Sequence, residues 1–137
     1  MHTDASGSTV GFAALAPGTV LPPLSLTVSA EANRRYHEAA GVVHPALQAG
    51  ALYPPIAANL TILLLQQTCH EAVLHTRQRL RSHRRAEAGT PLVVTGRVGD
   101  CFEKRGRWYM EVEATVSDEA GDPIWTSVAT FTPTAAP

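Results

Sequence analysis

The segment "IAANLTILLLQQTCHEAVL", residues 56–74, places the strongest constraint on how this chain can fold. Its first ten residues carry apolar side chains on nearly every side of a helix, at Ile56, Ala57, Leu60, Ile62, Leu63, Leu64 and Leu65. A helix without a polar face belongs in a protein interior. The preceding Pro54-Pro55 suits a first helical turn, because the N–H that proline lacks would be unpaired there. We therefore predict a long buried helix at the centre of the fold.

The rest of the chain is typical of strands with one short helix. In "TVLPPLSLTV" two prolines forbid a central ladder position, which predicts an edge strand or a strand with an irregular start. Ser29 and Gly41 are typical helix caps and bracket a short helix over about residues 30–40. From Leu74 onward the apolar period becomes two, and three further strands follow, in "PLVVTGRVGDCFEKR", "RWYMEVEATVSD" and "PIWTSVATFT". The predicted class is α+β, an antiparallel sheet wrapped around one apolar helix.

Length and apolar content indicate a single domain. The chain has 137 residues, of which 45% are hydrophobic, enough for one buried core and too few for two ordinary domains. We place the domain at residues 17–132. Residues 1–16 and 133–137 are mostly small or polar, and we expect them to form a flexible N-terminal tail and a C-terminal tail.

Charge and cysteine usage exclude several classes of protein. Eleven basic and twelve acidic residues create no broad field for nucleic acid or an anionic membrane. The longest apolar run is interrupted by Asn59 and Thr61 and is shorter than the roughly 20 residues of a membrane span. Cys69 and Cys101 follow no metal-ligand or redox spacing, and "MHTDASGSTV" is not a signal peptide. We expect a cytoplasmic protein with inert free thiols, no metal and no cofactor.

Three stretches carry a resemblance to a known family. "SAEANRRYHEAAGVVHPAL" has an acidic helix start, a basic pair, an aromatic residue, a glycine and then a proline-containing loop. "HTRQRLRSHRRAEAGTPLVVTGRV" and "EKRGRWYMEVEATVSDEAGDPI" match the same family's later strands and hairpins. Over residues 17–132 the chain resembles the hotdog fold, and within it the MaoC-like or (R)-specific enoyl-CoA hydratase and dehydratase family. The resemblance implies a dimer with its sites between subunits.

The resemblance also implies an active loop, which this chain has altered. In the family, an aspartate and a histidine five residues apart move protons at an acyl thioester. Val42 and Leu47 stand at those two positions, and His44 stands where the family has an asparagine. His44 is then the nearest group that could act as acid or base, because an imidazole titrates in the useful range. Val42 and Leu47 are expected to form an apolar floor that binds substrate.

Further candidates lie on either side of this loop. Tyr53 precedes the buried helix, and its hydroxyl is a candidate for contact with a substrate carbonyl. The amides of Ile56 and Ala57 begin that helix and are candidates for stabilising an enolate oxygen. His37 on the short helix and Asn59 on the buried one are weaker candidates for substrate binding. His37 is as consistent with a partly exposed helix position, and Asn59 with a dimer contact.

A basic row dominates the strand after the buried helix. His75, Arg77, Arg79, Arg81 and His83 alternate with Leu74, Thr76, Gln78, Leu80 and Ser82, which predicts that the first set shares one face. This face is either simply solvated or a docking surface, at Arg77, Arg79 and Arg81, for CoA phosphates or an acyl carrier protein.

Three functions remain open. The first is dehydratase- or hydratase-type chemistry on an acyl-thioester or polyketide-like intermediate with a non-standard site. The second is an isomerase or cyclase of a natural-product intermediate on the same scaffold. The third is a non-catalytic partner that completes another hotdog subunit. We expect a homodimer for the first two.

Overall fold

The computed structural model describes residues 10–135 of the chain. A single 3₁₀ turn at Phe12–Ala14 comes first. The remaining elements are, in chain order, β1 (Val20–Thr27), α1 (Ala30–Ala39), α2 (Pro45–Gln48), α3 (Ile56–Gln66), β2 (Val73–Ser82), β3 (Pro91–Lys104), β4 (Arg107–Asp118) and β5 (Pro123–Pro133). This is the predicted α+β order, with α2 added in the loop that contains His44.

The five strands form one antiparallel sheet in the order β1-β3-β4-β5-β2. β1 and β2 are its two edges, as the prolines of β1 predict. The β1–β3 register shifts between Leu21 and Leu24, where Pro22 and Pro23 interrupt the ladder. The order places the first strand and the strand after α3 at opposite sides of the molecule.

Helix α3 covers one face of the sheet, which we call the inner face. Ile56, Ala57, Leu60, Leu64 and Leu65 are almost completely buried against it. The inner side chains of β4, from Met110 to Val116 in steps of two, are equally buried, so the predicted core face of that strand is confirmed. The helix contacts β1, β3, β4 and β5.

Helix α3 is shorter than the apolar segment suggested. It ends at Gln66, because the amides of Thr68 and Cys69 both donate to the carbonyl of Leu65 and turn the chain out of the helix. The side-chain amide of Gln67 reaches the carbonyl of Pro22 at 2.8 Å and ties this end to β1. The buried helix therefore has three turns, and the residues from 67 to 72 form a connection to β2.

A β-bulge divides the basic row of β2 between the two faces of the sheet. The β2–β5 register shifts between His75 and Arg77. The bulge inserts one extra residue into β2, so the side chains before it point to the opposite face from the one that a regular strand would give them. His75 therefore lies on the inner face, where its ring packs on Phe131 with centroids 5.0 Å apart. Arg77, like the rest of the row, remains outside, so the prediction of one shared face is wrong for His75.

The packed part of the chain begins before the predicted boundary at residue 17. Phe12 and Leu15 belong to the core, and the amide of Phe12 donates to Glu71 at 2.8 Å. At the other end, the amide of Thr134 donates to the carbonyl of Ala72 at 3.0 Å. The predicted tails at 1–9 and 136–137 lie outside the described residues. The small and polar composition of residues 1–16 had concealed two core side chains.

Candidate functional site

A cleft of about 400 Å³ lies where the connection between α1 and α3 meets the ends of β2 and β5. The connection contributes Val42, His44, Leu47 and Tyr53 to its lining. The sheet side contributes Ser82, Arg84, Arg85 and Trp125. The structure thus brings together four of the residues that the sequence singled out, although they span twelve positions and lie outside any long regular element.

Asn33 stabilises the backbone segment that forms one wall of this cleft. It is 1% exposed on α1, its Nδ2 donates to the carbonyl of Ala51 at 2.8 Å, and its Oδ1 accepts from the amide of Tyr53 at 2.8 Å. One side-chain amide therefore pairs with the backbone on both sides of Leu52 as a neighbouring strand would. Sequence reasoning missed Asn33. Its only signal was an amide in the middle of a helix, one turn before His37, where asparagine is a poor helix former.

His37 lies behind the cleft and does not line it. It is 3% exposed, so the expectation of a partly exposed side chain is wrong. Its Nδ1 donates to the carbonyl of Val42 at 3.1 Å, and its ring meets Tyr53 edge-on with centroids 6.4 Å apart. In this structure the side chain holds Val42 and Tyr53 in place, and both of these residues face the cleft.

His44 is exposed and caps the one-turn helix α2. Its Nδ1 accepts a hydrogen bond from the amide of Ala46 at 3.0 Å. In a neutral imidazole, one ring nitrogen accepts and the other carries the proton. The capping bond therefore places the proton on Nε2. In this conformation His44 can donate a hydrogen bond from Nε2, and it can accept a proton at Nδ1 only by releasing Ala46.

The amides of Ile56 and Ala57 are not free, which removes the predicted oxyanion contact. They donate to the carbonyls of Tyr53 and Pro54, each at 3.0 Å. Both residues are also almost fully buried. The physical reason is the tight turn that precedes α3. The carbonyls of this turn accept hydrogen bonds from the first amides of the helix, which would otherwise be unpaired.

Asn59 also lies away from the cleft. It is exposed on α3, one turn before Leu63, which is 47% exposed. The two side chains share the side of α3 that the sheet of this chain leaves uncovered. Asn59 does not line the cleft, so the structure of one chain does not support the prediction that it binds substrate. Its exposed position remains consistent with the alternative, a contact with a second subunit.

The predicted docking arginines lie on the opposite face of the sheet from the cleft. Arg79 and Arg81 border a groove of about 730 Å³ on the outer face, with small side chains such as Thr115 and Val128 as its floor. Arg77 lies further along β2 on the same face. This groove is larger than the cleft, and of the candidate residues it contains only Arg79 and Arg81.

Two other arginines stand at the cleft, and each is neutralised by a carboxylate. Arg84 forms an ion pair with Asp118. Arg85 binds Glu87 with two hydrogen bonds, of 2.7 and 3.0 Å, and these lower the pKa of Glu87. Both guanidinium groups remain about half exposed, so they retain donors for an anionic group at the mouth of the cleft.

The lining defines what the cleft can do. Within residues 10–135 its titratable side chains are His44, Tyr53, Arg84 and Arg85, and no carboxylate lines it. Its walls are otherwise largely apolar, with Trp125 at the base. Such a cleft can hold an apolar chain, donate hydrogen bonds to a carbonyl and receive a negative group at its rim.

The two cysteines show no sign of reactivity. Burial raises the pKa of both the Cys69 and the Cys101 thiols, which keeps them protonated. They are not bonded to each other. Among residues 10–135 there is no group of three potential metal ligands and no helix long and apolar enough to cross a membrane.

These features define a class of protein. An antiparallel sheet in the order β1-β3-β4-β5-β2 that curls around one buried helix is the hotdog fold, and the cleft lies beside the helix that gives the fold its centre. No family model and no curated protein sequence matches this chain. Solved structures do match it, and they share the fold.

Several of the matching structures are dehydratases or hydratases, and one is described as MaoC-like. The C-terminally truncated HadBC complex of Mycobacterium tuberculosis, a 3R-hydroxyacyl-ACP dehydratase, has a TM-score of 0.73 and 16% identity over 85% of this chain and 96% of that chain. The (R)-hydratase PhaJ1 of Pseudomonas aeruginosa has a TM-score of 0.70 and 17% identity, with 91% and 86% covered. The MaoC-like dehydratase of Rhodospirillum rubrum has a TM-score of 0.67 and 18% identity, with 93% and 99% covered.

Proposed function

We propose that this chain binds an acyl thioester or a polyketide-like intermediate in the cleft and acts there with hydratase- or dehydratase-type proton chemistry. One observation carries the proposal. Val42, His44 and Leu47, which stand at the positions of the family's active loop, line one cleft together with Tyr53. The similarity in fold to a dehydratase and a hydratase supports the same class of reaction.

In the proposed site, two hydrogen-bond donors stand in for the family's aspartate and histidine. The Nε2–H of His44 and the hydroxyl of Tyr53 donate to the thioester carbonyl, and this polarisation makes the protons on the adjacent carbon more acidic. Val42, Leu47 and Trp125 pack against the acyl chain. In dehydration the α-proton passes to Nδ1 of His44, whose ring leaves Ala46 to expose it because Nε2 already carries a proton. The same proton then leaves with the β-hydroxyl as water, and hydration is the reverse.

The proposed site is completed by a second subunit along β2. Ser82, the last residue of β2, lines the cleft, so a chain paired with this strand lies beside its opening. Leu80, on the inner face of this strand, is exposed. HadBC is described as a complex, which supports such an arrangement. A second copy of this chain, giving a homodimer, is the simplest such subunit.

The thioester's carrier is proposed to meet the arginines. Arg84 and Arg85 stand at the mouth of the cleft, where the phosphates of CoA or of a carrier's prosthetic arm would pass. Arg77, Arg79 and Arg81, on the outer face, remain candidates for the protein surface of an acyl carrier protein. No further cofactor enters this proposal. The two free thiols fit a reducing compartment, the cytoplasm.

Two alternatives follow from specific observations. The absence of a carboxylate from the cleft lining within residues 10–135 favours an isomerase or cyclase that uses shape and one polar group. The replacement of both family proton carriers by Val42 and Leu47 favours a non-catalytic subunit that completes a partner's site. In either case the cleft still binds a ligand, but the isolated chain does not add or remove water.

Mass-spectrometric turnover of a panel of 2-enoyl and 3-hydroxyacyl thioesters tests the proposal. We expect the chain to gain or lose water on at least one member and His44→Ala to be inactive. His70→Ala, which removes an exposed histidine that does not line the cleft, is the matched control and should retain activity. A Val42→Asp, Leu47→His double variant should raise turnover if the cleft is a thioester site. Silence of the wild type together with gain in the double variant would favour the non-catalytic alternative.

A further inference from the structure

The two edges of the sheet differ in their capacity to pair with another chain. In β1, Pro22 and Pro23 lack N–H groups and break the ladder, and the side chain of Gln67 binds the carbonyl of Pro22. β2 is ten residues long and contains no proline. An open edge strand of this kind is a template for pairing, because its outward N–H and C=O groups have no partners in its own sheet. β2 is therefore the edge that a second subunit would use.

The outer face of β2 carries a row of three positive charges. Arg77, Arg79 and Arg81 are exposed, and within residues 10–135 none of them forms an ion pair. Their neighbours on β5 are Thr130, Val128 and Thr126, which are uncharged. Two residues of a strand span about 7 Å, so the three guanidinium groups form a regular row.

The nearest carboxylates do not neutralise this row. Glu113 lies on the outer face beyond Val128, but it already pairs with Arg97 at 3.0 Å. Glu111 borders the same depression as Arg77, yet it is two strands away and forms no ion pair with the row. Within residues 10–135 the positive row therefore has no ion-pair partner, although Glu111 and Glu113 border the same outer face.

Symmetry fixes what a second copy would bring to this edge. Residues directly opposite each other in an antiparallel pair point to the same face of the sheet. A two-fold axis normal to the sheet therefore opposes outer residues with outer residues. With the axis at Arg79, that residue faces its own copy and Arg77 faces Arg81. Every register centred on residues 77 to 81, which uses most of β2, places arginine opposite arginine.

Such a pairing is unfavourable. Like charges directly across a strand pair destabilise it, and here they would come in a row of up to six. The inner side of the same edge has no such conflict, because Leu80 is an exposed apolar residue that any subunit with an apolar inner face could cover. The fold therefore favours pairing at β2, while the charge of the outer row disfavours an identical partner.

We propose that the subunit pairing with β2 is a different chain of the same fold, whose edge strand presents carboxylates on its outer face. This inference rests on the proposed two-subunit site, and it replaces the simplest homodimer with a heterodimer. Carboxylates opposite Arg77, Arg79 and Arg81 would form cross-strand ion pairs with geometry suited to guanidinium groups. The partner would also lie beside Ser82 and the opening of the cleft.

The chain itself supplies a probe with the required chemistry. An Arg77→Glu, Arg79→Glu, Arg81→Glu variant keeps the fold and the apolar inner edge but carries an acidic outer row. We expect wild type and this variant to form a 1:1 complex at least about tenfold tighter than either self-association, at about 0.05 M sodium chloride. Sedimentation equilibrium measures the affinities, and native mass spectrometry measures the composition of the complex.

Controls separate local from overall charge. Each Arg→Glu change lowers the net charge by two, and wild type is already at −1, so overall charge opposes the mixed complex. An Arg34→Glu, Arg35→Glu, Lys104→Glu variant carries the same change at exposed positions away from β2 and should not bind wild type. Circular dichroism confirms that both variants are folded. Salt at about 1 M should weaken the mixed complex and strengthen wild-type self-association.

Three results would overturn the proposal. One is a wild-type homodimer as tight as the mixed complex in chloride buffer. Another is a wild-type homodimer that appears only when phosphate is added, which would mean that bound anions neutralise the row. The third is no association in any mixture, which would exclude pairing along β2. None of these experiments contains a thioester, so their failure is distinguishable from failure of the proposed reaction.

Discussion

The side chain of Asn33 and the backbone amide of Tyr53 are joined by a buried hydrogen bond of 2.8 Å, twenty residues apart in the chain. The same side chain binds the carbonyl of Ala51. A residue of α1 thereby fixes the backbone that presents the Tyr53 ring to the cleft. His37, one turn later on α1, supports the same ring from its edge.

Replacing Asn33 with alanine should destabilise the fold. Two buried backbone groups, the Ala51 carbonyl and the Tyr53 amide, would lose their partners, at about 1–3 kcal/mol each. We expect the free energy of unfolding to fall by about 2–4 kcal/mol in urea denaturation. Asn59→Ala removes an exposed amide and should change it by less than about 0.5 kcal/mol. Equal effects of the two variants would contradict the role of Asn33.

His44 has two separable roles, and a pair of variants distinguishes them. Asparagine is a strong N-cap residue, so His44→Asn should keep the cap on α2, whereas His44→Ala should lose it. Neither variant retains an imidazole Nε2–H at the cleft. We expect both to lose thioester turnover, but only His44→Ala to increase hydrogen exchange at the amide of Ala46. Turnover that persists in His44→Asn would assign His44 to capping alone.

Gly96 is required for the close approach of α3 to the sheet. A Cβ at this position would collide with the carbonyl oxygen of Glu113 and lie 2.8 Å from Cδ2 of Leu64. We expect Gly96→Ala to destabilise the protein by about 1–3 kcal/mol, as overpacking does. At Gly99 the nearest atom is the Glu113 carboxylate oxygen at 3.1 Å, on a side chain that can move. Gly99→Ala should therefore cost clearly less in thermal unfolding, and the reverse order would disprove this packing argument.

His75 should make stability depend on pH. Burial on the inner face lowers its pKa below the ordinary value of 6.5. Between the lowered pKa and about 6.5 the unfolded chain binds more protons, so His75 lowers the free energy of unfolding as pH falls through this range. His75→Phe keeps the packing on Phe131 and removes the titration. The loss of stability between about pH 7 and 5 should then be smaller.

Leu74→Phe provides the matched control for His75→Phe. It adds an aromatic ring at the neighbouring exposed position, which is 50% exposed, without removing the titrating group. Its pH dependence of unfolding should follow that of the wild type. If both variants showed the wild-type slope, the pH dependence would originate at another residue.

The sequence predicted the elements better than their contacts. Apolar residues all round α3 required burial, prolines in β1 required an edge, and a two-residue period required strands. These properties depend on neighbours within a few positions. The positions of Val42 and Leu47 at the cleft follow from the loop itself, and the structure brings them together with His44.

The errors lie where the backbone departs from a regular strand or helix. One extra residue in β2 turned His75 inwards, and a single-residue shift reverses every side chain before it. The turn before α3 occupied the amides of Ile56 and Ala57. Neither event changes the apolar pattern of the sequence, so neither could be inferred from it.

What the sequence by itself determined is the set of elements and the chemical inventory of the active loop, one histidine and no carboxylate between Val42 and Leu47. Only the tertiary structure decided which groups share a cleft. It also decided that Asn33 binds the backbone of Ala51 and Tyr53, and that the arginines of β2 lie on the opposite face of the sheet from the cleft. The physical reason is that periodicity orients a side chain relative to its own strand or helix. The packing of α1, α3 and the sheet against one another sets its neighbours.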